Sequence, residues 1–154
     1  MIKVLFVCLG NICRSPMAEY IFKDMVKKEK LENEFYIDSA ATSTEEIGNP
    51  VHYGTRNKLK QMHIECGNHV ARKMTKQDYE KFDFIIGMEE QNIINIKRII
   101  GKDTENKIFK LLDFSNNPRD IADPWYTGNF DKSYEDIIEG LNGFMKYLRN
   151  NKIK

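Results

Sequence analysis

The sequence predicts an α/β fold in three layers: a four-stranded parallel sheet with helices on both faces. Three observations carry this expectation. Short runs rich in β-branched and aromatic residues recur four times along the 154 residues. Segments with apolar residues at helical spacing separate them. The first run, "IKVLFV" at 2–7, lacks polar alternation, which marks a strand buried on both faces. Strands that alternate with helices form parallel sheets, and right-handed crossovers distribute the helices to both sides. The length suits one domain spanning 1–154.

After the first strand the period changes. "SPMAEYIFKDMVKKEKL" at 15–31 opens with serine and proline, a helix start, and places Ala18, Ile21, Phe22 and Met25 on one face. Its basic stretch, "KDMVKKEK" at 23–30, reads as a solvated last turn with cations near the negative end of the helix dipole. "FYIDSA" at 35–40 is a second strand, followed by the polar loop "ATSTEEIGN" at 41–49. Residues 50–62 suggest a helix with Leu59 and Met62 towards a core. "FDFIIGM" at 82–88 predicts a third buried strand, and the helix after it carries Ile93, Ile96 and Ile100 on one side. "KIFKLLDF" at 107–114 is the fourth strand. Residues 115–130, with two prolines and neither period, predict a long irregular loop, an uncommon feature that is often functional. The closing helix aligns Tyr134, Ile137, Ile138, Leu141, Met145 and Leu148 in one stripe.

Composition narrows the function classes. With 41% hydrophobic and 31% charged residues the chain reads as globular, and no run approaches the roughly 20 apolar residues of a membrane span. A formal net charge of +1 gives no general field for nucleic acid. The apolar run before Cys8 is too brief for a signal-peptide core. Three cysteines, an odd number, fit a reducing compartment, so a cytoplasmic protein is expected.

The chemistry concentrates in "VCLGNICRSP" at 7–16. In parallel α/β folds, ligands bind beyond the carboxyl ends of the strands, where this stretch leaves the first strand. Only five residues, Leu9 to Cys13, separate Cys8 from Arg14, so the backbone must curl and turn its N–H groups inward as an anion nest. Gly10 can take a positive φ freely, and Asn11 tolerates the left-handed region. The helix start near Ser15 adds unpaired N–H groups and a positive dipole end. Arg14 offers a planar fork for two oxygens of a phosphate-like group. Cys8 lies at the base of this positive cup, whose field favours the thiolate. Such a loop binds inorganic phosphate or related oxyanions and attacks a phosphoryl group with sulfur. Backbone donors and guanidinium supply the charge stabilisation, so the reading calls for no metal and no cofactor.

At these residues the sequence resembles the low-molecular-weight protein tyrosine phosphatases, whose signature is this C-x5-R-S loop. The resemblance runs in order through "DSAAT" at 38–42, "HVARKMT" at 69–75, "FDFIIGM" at 82–88 and "DPWYTG" at 123–128. It implies a flavodoxin-like, Rossmann-like sheet of strand order 2-1-3-4. It also implies a metal-independent phosphotyrosine hydrolase with Cys8 as nucleophile, Arg14 as phosphate ligand and Asp123 as general acid and then base. By the same resemblance Ser15 hydrogen-bonds the nucleophile, Ser39 and His69 hold Asn11 in its strained conformation, and Trp125 and Tyr126 wall the cleft. Leu9, Gly10, Asn11, Ile12 and Cys13 complete the substrate loop. Cys13 matches a loop cysteine able to form a reversible disulfide with Cys8; Cys66 has no such partner in the pattern and reads as structural.

Departures from the family keep alternatives open. "TSTEEIGNP" at 42–50 lacks the tryptophan of the vertebrate enzymes. Related bacterial arginine phosphatases carry threonine where this chain has Ile12 and have a less aromatic acid loop. Bulky Ile12 with Trp125 and Tyr126 therefore favours an aryl phosphate. A thioredoxin-linked arsenate reductase would need a further cysteine pair, and only Cys66 lies beyond the loop. A sugar-transport phosphocarrier would not need an acid with an aromatic wall. A phosphotyrosine-binding module without turnover would not need both Cys8 and Asp123. The expected partners are phosphotyrosine-containing proteins, with a bacterial tyrosine kinase among them by family analogy, and neither nucleic acid nor membrane.

Overall fold

The first strand sets the layering. In the computed structural model, which describes residues 1–151, β1 (Ile2–Cys8) sends Val4 and Phe6 into one core and Leu5 and Val7 into another. All four are fully buried, so alternate side chains each find an apolar layer. The remaining elements follow as α1 (Arg14–Lys28), β2 (Phe35–Ala41), α2 (Tyr53–Gln61), α3 (Lys76–Lys81), β3 (Phe84–Gly87), α4 (Glu90–Ile100), β4 (Ile108–Lys110), α5 (Pro124–Thr127) and α6 (Phe130–Asn151).

The sheet has the order β2-β1-β3-β4 with every pair parallel. Cys8 stands opposite Ala41 at the end of the β1–β2 register. Because β1 lies between β2 and β3, the chain reverses its winding direction there, and the crevice beyond the carboxyl end of β1 is the topological switch point. The larger core joins Phe22 of α1, Leu59 of α2 and Ile137, Leu141, Phe144 and Leu148 of α6. The smaller one joins Met74, Tyr79 of α3, Phe82 and Ile96 of α4 on the other face. Lys27 and Lys28 close the last turn of α1 as exposed cations, as the dipole argument expects.

Four details differ from the sequence reading. Met62 is 39% exposed: α2 stops at Gln61, so only Leu59 of the expected pair reaches the core. The fourth strand is three residues long, and Leu111 and Leu112 reach the core from a 3-10 turn, Leu111–Phe114, rather than from a strand. That turn lies against α6 where side chains are missing: a Cβ on Gly140 would come within 2.5 Å of Leu111 Cγ, and one on Gly143 would overlap the Phe114 carbonyl. The region 115–130 is not wholly irregular, since α5 forms within it and α6 begins at Phe130. Finally, α3 and a 3-10 turn at Glu32–Glu34 were not foreseen, although Thr75 and Asp78 form a reciprocal capping box at the start of α3. Among the described residues no helix is long and apolar enough to cross a membrane.

Candidate active site

Residues 9–13 curl between β1 and α1 because the flanking segments hold their carbonyls. Thr42 N–H donates to the Cys8 carbonyl at 3.0 Å, Ser43 N–H and Oγ donate to that of Leu9, His52 N–H to that of Ile12, and the Thr55 hydroxyl to that of Cys13 at 3.0 Å. With the carbonyls drawn outwards, the N–H groups of residues 10–13 make no backbone hydrogen bond among the described residues. Unpaired amides on the concave side of a turn form an anion nest.

Asn11 fixes the curl. Its φ is +59°, while Gly10 is not among the positive-φ residues, so the left-handed position belongs to Asn11 alone. Gly10 serves by leaving room: a Cβ there would sit 3.3 Å from Glu46 Cγ. The Asn11 side chain, 1% exposed, uses its full hydrogen-bonding capacity. Nδ2 donates to Ser15 Oγ at 2.8 Å and to Ser39 Oγ at 2.9 Å; Oδ1 accepts from the Arg72 amide at 3.2 Å and from His69 Nε2 at 2.7 Å. The carbonyl oxygen can only accept, so His69 carries a hydrogen on Nε2. Ser39 and His69 thus converge on Asn11, the placement expected from the resemblance.

Behind them stands a buried carboxylate that the sequence reading missed. Glu19, 2% exposed, accepts from the Ser39 hydroxyl at 2.5 Å and pairs with Lys23 at 2.5 Å. His69 Nδ1 lies 3.6 Å from both Glu19 and Asp38, and Arg72 bridges Asp38 and Asp78. Sequence spacing hid this grouping of Glu19, Asp38 and His69, whose ligand atoms lie within 4.8 Å of one another. The carboxylates already have partners in Ser39, Lys23 and Arg72. Glu19 was legible only as a polar residue one position beyond the apolar Ala18 on the buried side of α1.

Cys8 closes the base of the cup, 3% exposed. Its Sγ lies 3.0 Å from Ser15 Oγ and 3.4 Å from the Ser15 amide, the first turn of α1. A thiolate can only accept, so the hydroxyl then donates to sulfur while its own oxygen accepts from Asn11. Burial, with the charges of Cys8 and Asp123 adding to it, pushes the Cys13 thiol up to about 12. All three cysteines are free thiols.

Arg14 is 1% exposed. Its Nη1 donates to Glu89 Oε2 at 2.8 Å and to the Ile121 carbonyl at 2.9 Å, and its Nη2 approaches Asp123 Oδ2 at 3.4 Å. Both Nη1 hydrogens are therefore engaged, and with one Nη2 hydrogen directed to Asp123, Nε and the other Nη2 hydrogen remain for two oxygens of an anion. Burial works to lower the guanidinium pKa, but the charges of Cys8, Asp123 and Glu89 outweigh it and raise it. Glu89, also unforeseen, caps α4 just beyond the carboxyl end of β3, the end of the sheet at which ligand-binding groups are sought. Asp123 caps α5 through an Oδ1 bond from the Trp125 amide at 3.0 Å.

A cleft of about 60 Å³ opens above the sulfur, lined by the loop from Cys8 to Arg14 and by Asp123, Trp125 and Tyr126, so the two separate motifs meet there. Glu45 and Glu46 complete its rim. Ser15, Ser39 and His69 act from behind the loop. Trp125 is 56% and Tyr126 78% exposed, so these rings form a free wall rather than core. His52, another residue not anticipated, meets the Trp125 ring edge-on at 5.6 Å and stacks on Phe130 at 5.3 Å.

A family model described as low molecular weight phosphotyrosine protein phosphatase matches residues 3–154. The low molecular weight protein-tyrosine-phosphatase YfkJ of Bacillus subtilis is 41% identical over 154 residues, covering 99% of both chains. The low molecular weight phosphotyrosine protein phosphatase of Gallus gallus is 44% identical over 149 residues, 94% of both. The crystal structure of YfkJ superimposes with a TM-score of 0.95 over 99% of this chain and 97% of that one.

Proposed function

The chain belongs to the low molecular weight phosphotyrosine protein phosphatase family, and from that premise we propose that it hydrolyses phosphotyrosine in proteins through a phosphocysteine intermediate. The observation that carries the reading is the placement of Cys8 Sγ at the base of a cleft that also receives the Arg14 fork and the Asp123 carboxyl group.

In the first step the Cys8 thiolate attacks phosphorus in line with the tyrosyl oxygen. The S–P bond forms, the P–O bond to tyrosine breaks, and Asp123 gives its proton to the departing phenolate. The loop amides and the free edge of Arg14 hold the equatorial oxygens, whose charge spreads in the transition state. In the second step Asp123 takes a proton from water, the water oxygen bonds to phosphorus, and the S–P bond breaks. The Ser15 hydroxyl, 3.0 Å from the sulfur, stabilises the departing thiolate. Inorganic phosphate leaves. Asn11, held by Ser39 and His69, keeps the loop curled throughout. If Cys8 is oxidised to a sulfenic acid, Cys13 condenses with it to a disulfide with loss of water, which protects the nucleophile.

Ile12 and the exposed Trp125 and Tyr126 rings favour a flat aryl group in the cleft over a phosphoguanidinium. We place the activity in the cytoplasm, with phosphotyrosine proteins as partners and a tyrosine kinase among them.

The test compares p-nitrophenyl phosphate, a phosphotyrosine peptide and a phosphoarginine peptide in metal-free buffer. Hydrolysis of the first two with phosphotyrosine favoured is expected; faster turnover of phosphoarginine would reassign the substrate. Cys8→Ser should reduce turnover to background yet retain phosphate binding, and wild-type reactions quenched in acid should show a phosphate adduct on Cys8 by mass spectrometry. Substantial activity in Cys8→Ser would reject sulfur as the nucleophile.

A further inference from the structure

The rim of the cleft carries a charge pattern that phosphate binding does not explain. Glu45, Glu46 and Asp123 bring three carboxylates to the lining, and among the described residues Arg14 is its only cation. Arg14 is buried and already faces Glu89 and Asp123, so little of its positive charge reaches the mouth. A pocket that takes a dianion at its base is thus negative at its entrance.

The groups at that entrance differ in how they are held. Glu46 lies over Gly10, where a Cβ would meet its Cγ at 3.3 Å, and Asn49 Nδ2 donates to its carboxylate at 2.6 Å. Its charge is therefore held against the loop. The neighbouring Glu45 is exposed and forms no ion pair or side-chain hydrogen bond among the described residues. In the same lining Trp125 and Tyr126 present largely exposed rings, with Trp125 steadied by the edge-on contact from His52. A cation at this mouth gains from the carboxylates and from the negative faces of the rings, whereas an acidic side chain meets like charge.

We propose that the cleft selects phosphotyrosines flanked by lysine or arginine, with Glu45 and Glu46 reading the positive charge and Trp125 and Tyr126 offering it an aromatic face. The proposal rests on the phosphatase reading and names the substrate class of that same site. Phosphotyrosine enters the cup, and a basic neighbour in the peptide stays at the mouth beside the carboxylates and the rings. Exposed charge pairs are screened within about 8–10 Å at ordinary salt, so the preference should be modest and sensitive to ionic strength.

The experiment uses matched phosphotyrosine peptides with Lys or Arg, Ala, or Glu in the positions on either side of the phosphotyrosine, each kcat/KM divided by that of p-nitrophenyl phosphate for the same enzyme. This ratio cancels changes in overall activity. Wild type should favour the basic over the acidic peptide roughly tenfold at low salt, and the ratio should approach one in concentrated salt. Glu45→Gln with Glu46→Gln should shrink the preference, and Glu45→Lys with Glu46→Lys should invert it. Equal rates for all peptides in wild type, or an undiminished preference in both double variants, would overturn the proposal while leaving the phosphatase reading intact. No hydrolysis of p-nitrophenyl phosphate by wild type would instead overturn that reading and the proposal with it.

Discussion

The cleft has two walls built on opposite principles. In the loop from Cys8 to Ser15, Cys8, Asn11, Cys13, Arg14 and Ser15 are buried, and the Asn11 side chain by itself makes four hydrogen bonds, to Ser15, Ser39, His69 and Arg72. The wall from Asp123 to Tyr126 is a four-residue helical turn with its capping carboxylate and two exposed rings; its link to the loop is the 3.4 Å approach of Arg14 to Asp123. A phosphate nest must be rigid, because amides that reorganise during the reaction lose the advantage of being aimed beforehand. On the proposed mechanism, a wall that delivers a proton to leaving groups of different shape gains from being less constrained. The difference teaches that loop variants should combine losses of stability and activity, whereas wall variants should separate them.

The largest effect tests the wall. Asp123→Ala should lower kcat by roughly 10² to 10⁴ for leaving groups of high pKa and far less for a very good one. A leaving-group series checks this, and a uniform loss across it would remove Asp123 from proton transfer. Thermal unfolding should change little beyond the cost of a lost cap, about 1 kcal/mol.

Asn11→Ala probes the loop. The change removes one hydrogen-bond partner each from Ser15, Ser39, His69 and the Arg72 amide in a buried site and puts a Cβ-bearing residue without a polar side chain into the left-handed region. We expect about 1–3 kcal/mol of destabilisation in denaturant melts, with oxyanion affinity falling in parallel. Asn11→Gly, which relieves only the backbone strain, should recover part of the stability and little of the affinity.

Between the walls lies the Arg14 anchor. Glu89→Ala leaves Nη1 with the Ile121 carbonyl as its one partner and should reduce kcat/KM about tenfold, the order expected for losing one charge-assisted hydrogen bond of about 1.5–3 kcal/mol. Glu89→Gln keeps an acceptor for Nη1 and should restore much of the loss. A parallel loss in both variants would mean that charge, not orientation, is what Glu89 supplies. The smallest effect returns to the wall: Trp125→Ala should raise KM for aryl phosphates a few-fold and alter the unfolding midpoint hardly at all, since an exposed ring contributes within about 0.5 kcal/mol to stability. A marked fall in stability would show that the wall is as tightly integrated as the loop.

The legible and illegible parts divide along the same physical line. The strand–turn–helix of residues 2–28 could be read because each signal is local: a continuous apolar run, a short connection and a Ser-Pro helix start. The order 2-1-3-4 followed from resemblance and agrees with the observed pairing. The fourth strand was read too long because "KLLDF" is equally apolar in a strand or a 3-10 turn, and the close seat that the turn finds on Gly140 and Gly143 lies far along the chain. Glu19 and Glu89 were missed because a buried carboxylate looks like any surface glutamate until its partners, Ser39 and Arg14, are brought to it.

By itself the sequence determined the alternation of strands and helices, the tight turn after β1 and the presence within it of a thiol and a guanidinium. Those features depend on neighbours within a few residues, so chain order is sufficient to specify them. Only the tertiary structure decided which groups of Arg14 are engaged, that Asn11 rather than Gly10 takes the left-handed backbone, and that two glutamates and two aromatic rings line one cleft. These are meetings of groups distant along the chain, and a hydrogen bond or a charge contact has no strength until folding has set its distance.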